Sequence, residues 1–102
     1  MSPRKSLPVK WTESAWEDLD GITDYLLAED VAFEAVEEYV KRIFNAPEHL
    51  TMFPGVGKPG RMPNTREWFV KGTPYALIYT VRDGKARILR VMHGSRQFPF
   101  GQ

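Results

Sequence analysis

Few side chains in this sequence could do chemistry. Of the two histidines, His93 closes an apolar run, where an imidazole can take or give a proton near neutral pH. In the same half stand Lys58, Arg61, Arg66, Arg90 and Arg96, cations suited to phosphate or carboxylate, with Tyr75 and Tyr79 as proton donors. Zero cysteines exclude disulfides, thiolate metal sites and thiolate nucleophiles, and two lone histidines leave little for a metal site. No cofactor and no metal are expected. The run Gly57-Lys58-Pro59-Gly60 lacks the phosphate-loop spacing, and no helix follows it.

Each of these residues also has a plainer use. Lys58 in a Gly-Pro loop reads as a solvated lysine. Arg61 and Arg66 can pair with Glu67 or the acidic first half as readily as they can meet a target. Arg90 can reach a carboxylate on a helix, Tyr75 and Tyr79 pack more naturally in a core, and His93 ends a strand where a structural hydrogen bond is common. Trp11, Trp16 and Trp68 read as core and strand packing rather than as base-stacking platforms.

The length of 102 residues corresponds to one domain that buries about two-thirds of its unfolded surface. With 42% hydrophobic and 26% charged residues, the composition is that of a globular chain. The longest apolar stretch, Tyr75 to Tyr79, is strand-sized, so no membrane segment is expected and a reducing cytosol suits the cysteine-free chain. The net charge of +1 hides a split. Residues 1–10 carry +3, residues 11–53 carry eleven acids against Lys41 and Arg42, and residues 54–102 carry nine bases against Glu67 and Asp83. The acidic half reads as solvated helix faces. The basic half concentrates positive potential and fits an anionic partner.

These side chains must be positioned by two kinds of element. Val9 to Thr12 reads as an opening strand. A helix then starts at Thr12 or Ser14, with Ser14 and Glu17 as a capping box and Ala15, Leu19, Ile22 and Leu26 on its apolar side. Asp30 is expected to cap a second helix carrying Phe33, Val36, Val40, Ile43 and Phe44, interrupted near Asn45 by Pro47. The helices should form a hairpin. Residues 53–65 read as a loop, and Arg66 to Lys71, Tyr75 to Val81 and Ala86 to His93 as three strands.

Asp83-Gly84 signals a two-residue hairpin turn, which sets a register of Arg82 with Lys85, Tyr79 with Ile88, Leu77 with Arg90 and Ala76 with Val91. One sheet face then carries Tyr75, Leu77, Tyr79, Ile88, Arg90 and Met92. The other carries Ala76, Ile78, Thr80, Arg87, Leu89, Val91 and His93. Both are largely apolar, so the face away from the helices reads as a groove that a partner covers. The expected fold is α+β: a two-helix hairpin on a mostly antiparallel four-stranded sheet, in the order β-α-α-β-β-β.

Across residues 9–96 the sequence resembles the RelE/ParE family of bacterial toxins from toxin–antitoxin pairs. The resemblance rests on Val9-Lys10-Trp11-Thr12 with Ala15, Asp18-Leu19, Ile22 and Tyr25-Leu26, on Phe53-Pro54 and Gly57-Lys58-Pro59-Gly60-Arg61, and on Arg66-Glu67, Tyr75 to Tyr79 and Ile88 to Arg96. It implies a cognate antitoxin whose disordered segment folds across the toxin. It also implies one of two targets: mRNA on the ribosome, cut by the nuclease members, or DNA gyrase, poisoned by the ParE-type members without nuclease activity.

A metal-independent ribonuclease needs a base, an acid and cations at the scissile phosphate, roles open here to His93, Arg61, Arg66 and Arg96. The nuclease members carry an arginine three residues before the position of Tyr79, where this chain has Ala76, and a tyrosine soon after the last strand, where it has none. Losing one preorganised charge donor costs on the order of 10²-fold in rate. The resemblance therefore favours the gyrase-directed branch, with ribosome-dependent mRNA cleavage as the alternative and a decayed toxin kept as an antitoxin-binding module as a third reading. The surface expected to meet antitoxin or target comprises Lys58, Arg61, Arg66, Ala76, Ile78, Arg87, Leu89, Val91, His93, Arg96 and Phe98. The oligomeric state, homodimer or hetero-oligomer with the antitoxin, stays open at this level.

Overall fold

The computed structural model describes residues 7–94. Arg96, Phe98 and Phe100 lie outside the described residues. A short strand β1 (Val9–Trp11) leads through Thr12 into helix α1 (Glu13–Ala28). The Thr12 hydroxyl accepts the Ala15 N–H, so Thr12, not Ser14, is the N-cap. The same hydroxyl lies 2.9 Å from the Ile88 carbonyl, which ties the start of α1 to the sheet.

Helix α1 ends in a left-handed turn at Asp30 (φ 61°), where the Asp30 and Val31 N–H groups reach back to the Leu27 and Leu26 carbonyls. Asp30 therefore terminates α1 and does not cap helix α2 (Phe33–Asn45), whose N-cap is Ala32 with no side-chain bond. Pro47 takes the first position of a separate short helix, α3 (Pro47–Met52), where its missing N–H costs nothing. The break expected near Asn45 is present.

Among the described residues the sheet has five strands, not four. Lys58–Pro59 forms β2 inside the segment read as loop, followed by β3 (Arg66–Phe69), β4 (Tyr75–Arg82) and β5 (Lys85–His93). β3 stops at Phe69, two residues before the expected end. The spatial order is β1-β5-β4-β3-β2, antiparallel except for β1 beside β5. Asp83 (φ 52°) and Gly84 (φ 73°) make the expected turn with both central residues left-handed.

The hairpin register holds from Arg82–Lys85 to Tyr79–Ile88 and then slips at a bulge between Ile78 and Tyr79. Leu77 faces Val91, Ala76 faces Met92 and Tyr75 faces His93. One extra residue in a strand exchanges the faces of everything beyond it. Val91 thus joins Tyr75, Leu77, Tyr79 and Ile88 in the helix-side core with Ala15, Leu19, Ile43 and Leu50. Met92 moves to the opposite face, against Ile78 and Met62. His93 passes to the side of Tyr75.

Candidate interaction surface

Among the described residues, two ion pairs tie an arginine to a carboxylate distant in the fold, Arg90 to Asp18 and Arg61 to Glu67, and a third joins Arg42 to Glu38 on the surface of α2. Asp18 on α1 accepts two bonds from the Arg90 guanidinium, at 2.7 and 3.0 Å, and a third from the Val91 N–H at 2.9 Å. β1 covers the edge of β5 only as far as Ile88, and beyond it Asp18 accepts the Val91 N–H of that edge. This is the helix carboxylate that Arg90 was expected to find.

On the other face of the sheet, Glu67 of β3 is 4% exposed. The Arg61 guanidinium meets both its oxygens at 2.7 and 3.0 Å, and the Arg61 backbone N–H donates at 2.7 Å. These bonds hold the Glu67 carboxyl below the ordinary range against the opposing effect of burial. Arg61 also donates to the Gly94 carbonyl at 3.3 Å. The segment from Arg61 thereby lies over the face that was read as an open groove, with Met62 seated on Ile78 and Met92. Ala76 and Ile78 have no exposed surface and Val91 is 3% exposed. The chain itself covers Ile78 and its surroundings on this face, while Val91 is buried on the helix side by the bulge, so all three residues leave the accessible surface.

Arg66 donates to the Gly57 carbonyl at 2.8 Å. The buried Tyr79 hydroxyl donates to the Pro54 carbonyl at 2.9 Å and accepts the Gly57 N–H at 3.0 Å. Desolvation pushes the Tyr79 phenol up, with the Gly57 bond opposing it. Tyr79 is thus a core residue that pins the loop. The Lys58 ammonium lies 5.2 Å from the centre of the Phe69 ring.

Among the described residues, the ribonuclease candidates His93, Arg61 and Arg66 are not assembled around one point. The His93 ring stands edge-on to Tyr75 at 5.6 Å, beside a cleft bounded by Glu17, Asp18, Tyr25 and Arg90. Arg61 is held by Glu67 on the opposite face, and Arg66 is tied to the loop beside Tyr79. Among the described residues no group of three or more His, Cys, Asp or Glu could hold a metal ion.

What the fold assembles instead is a cluster of cations. Arg87 lies between Lys10 and Thr80 in the strand register, and Arg82 faces Lys85. Their neighbours Ala86, Ile88 and Tyr79 point into the core, so these four cations share the face away from the helices. All four are exposed, and none takes part in an ion pair among the described residues. Leu89, at the bulge, borders the same region in a groove with Met62, Val81 and Arg82. Of the residues expected at a partner surface, Arg87 is exposed and Leu89 half-buried here. Lys10, Arg82 and Lys85, not named from the sequence, join Arg87 on this face by strand alternation.

A second exposed feature is aromatic. Trp11 stacks on Trp16 at 4.8 Å, and Phe44 lies 5.8 Å from Trp16. Trp16 is 41% and Phe44 49% exposed, so this stack is more open than core packing predicts. Among the described residues no helix is long and apolar enough to cross a membrane.

Comparison with known proteins adds the lineage. Residues 9–98 match the family described as the ParE toxin of the type II toxin-antitoxin system, parDE. The curated "Putative toxin Y4kP" of Sinorhizobium fredii is 37% identical over 92 residues, covering 89% of this chain and 92% of its own. A chain of the chromosomal ParDE system from P. aeruginosa superposes with a TM-score of 0.77 at 26% identity, over 86% of this chain and 96% of that one. A chain of the RelBE2 toxin–antitoxin complex from Mycobacterium tuberculosis gives 0.53, also at 26% identity, over 86% and 98%. The chain therefore belongs to the RelE/ParE family, on its ParE side, and is a toxin of a type II toxin–antitoxin system.

Proposed function

We propose that this toxin acts by binding DNA gyrase and that a cognate antitoxin neutralises it by covering its basic surface. The observation that carries this reading is the state of the sheet at Ala76. That residue is fully buried, and Arg61, one of the arginines a ribonuclease would use, is bonded to Glu67. A phosphoryl-transfer site needs charge aimed at the scissile phosphate. Here two cations that could supply it, Arg61 and Arg90, already serve carboxylates of the fold. A protein that works by binding needs only a presented surface, and the hairpin cations form one.

The likeness to the RelBE2 complex, equal in identity to that with the ParDE system, keeps ribosome-dependent mRNA cleavage as the second reading. Purified protein incubated with gyrase and supercoiled DNA is expected to accumulate cleaved DNA, and mRNA in a parallel translating extract is expected to stay intact. Cut mRNA that disappears on His93→Ala would overturn the proposal. Inactivity in both assays with retained antitoxin binding would show a decayed toxin.

A further inference from the structure

We propose that the outer end of the β4–β5 hairpin is the docking groove for one acidic, apolar-sided segment of the antitoxin; this rests on the toxin–antitoxin reading above and gives it an address. The groove is an open depression of about 900 Å³ between the 59–66 segment and the hairpin, with Leu89 and Met62 among its apolar lining and Arg82 beside them. A groove of this size takes a few side chains of one segment. Leu89 and Met62 are half-buried, so apolar surface on this face remains partly open to solvent.

Charge selects the occupant. Lys10, Arg82, Lys85 and Arg87 extend the rim along the same face. The carboxylates within reach are two: Asp83 at the turn, and Glu67, which is buried under Arg61. The other acids of the described residues sit on α1, α2, α3 and the α1–α2 turn. Like charges facing one another across strands are unfavourable, so the row of cations is tolerated at a cost in stability that an acidic partner would offset. A segment with carboxylates toward Arg82 and Arg87 and apolar side chains toward Leu89 and Met62 matches both features. Nucleic acid matches one only. Tyr79 is the single aromatic at the groove, and it is fully buried, which leaves no ring for a base to stack on.

The test uses Arg82→Glu/Arg87→Glu. In this variant each new carboxylate faces a lysine, Lys85 or Lys10, so folding stability should hold or rise while binding falls. Calorimetry against the small protein encoded by the neighbouring reading frame is expected to show affinity at least about tenfold weaker at low salt, the deficit shrinking as ionic strength rises. Lys41→Glu on α2 should leave affinity within about twofold. The neutral variant Arg82→Gln/Arg87→Gln should fall between. Wild-type affinity in both hairpin variants would overturn the groove while leaving the toxin–antitoxin reading intact. Failure of the wild-type protein to bind would sink that reading itself. A single-stranded RNA probe bound by the wild type and lost in the double variant would replace the acidic segment with nucleic acid.

Discussion

Removing the Arg61 side chain should cost more stability than removing the charge of its partner, and the difference should depend on pH. The Glu67 side chain is 3% exposed, whereas that of Arg61 is 24% exposed. Arg61→Ala takes away two charge-assisted bonds and leaves a buried carboxylate with the residue 61 backbone N–H and Lys58, which faces it from β2. Breaking a buried pair from one side costs about 3–5 kcal/mol. Water can enter where the partly exposed guanidinium stood, so the lower end, about 3 kcal/mol, is expected. Glu67→Gln preserves the shape and leaves a guanidinium that reaches solvent and the Gly94 carbonyl, so about 1–1.5 kcal/mol should be lost.

The pH dependence follows from the direction of the shift. In the wild type the Glu67 carboxyl titrates below its unfolded value, so its contribution is complete above that value and is lost as pH falls through the folded one. In Arg61→Ala, burial without the guanidinium raises the folded pKa above the unfolded one. Protonation then relieves the penalty, and the gap to wild type narrows on acidification. Urea titrations followed by tryptophan fluorescence at about pH 7 and about pH 4 measure this. The combined variant should be about 1 kcal/mol more stable than Arg61→Ala at neutral pH, because the stranded charge is gone. Equal costs for the two single variants, or a gap that does not change with pH, would refute the reasoning.

Two further expectations concern backbone devices. Tyr79→Phe strands the Pro54 carbonyl and the Gly57 N–H and should cost about 1–3 kcal/mol, read as a lower denaturation midpoint. A methyl group at Gly57 would lie 2.6 Å from the Tyr79 hydroxyl and 2.7 Å from the Glu67 carbonyl oxygen, so combining Gly57→Ala with Tyr79→Phe should not restore stability. Asp30→Gly should stabilise by about 0.5 kcal/mol, since residue 30 is left-handed at the end of α1; a loss of about 1 kcal/mol would mean that its side chain caps α2 after all.

The elements were legible because their signals are local. Helical spacing placed Ala15, Leu19 and Leu26 in the core, Pro47 marked the helix break, and Asp83-Gly84 marked a turn whose two residues are left-handed. β2 was hidden because a two-residue strand among Gly and Pro has no pattern of its own. It exists only through its pairing with Arg66 and Glu67. The bulge was hidden for the same kind of reason. Nothing in Ile88-Leu89-Arg90 marks an extra residue, and what stabilises it is tertiary: Asp18 gathers Arg90 and the Val91 N–H on one carboxylate. Phe33 (62% exposed) and Phe44 shared the helical period of Val36 and Ile43 yet lie outside the core, because the helix pair buries a stripe narrower than the sequence offers.

The sign of the charge was legible along the chain, but not where the fold places it. Counting charges along the chain gave a basic second half, but a count cannot tell an arginine that faces a partner from one that holds a helix to a sheet. Pairing removes Arg61 and Arg90, loop carbonyls take Arg66, and strand alternation gathers Arg82, Lys85 and Arg87 with Lys10 from the first ten residues. The substitution that distinguishes this chain from the nuclease pattern belongs to the same rearrangement. Ala76 lies between Phe69 and Met92 on neighbouring strands, with no exposed surface. An arginine at that position would have to displace the Arg61–Met62 cover to reach a phosphate. Alanine at 76 and the Arg61–Glu67 clasp are therefore two sides of one commitment, in which the middle of the sheet is closed by the chain itself and the open cations are left at the hairpin end.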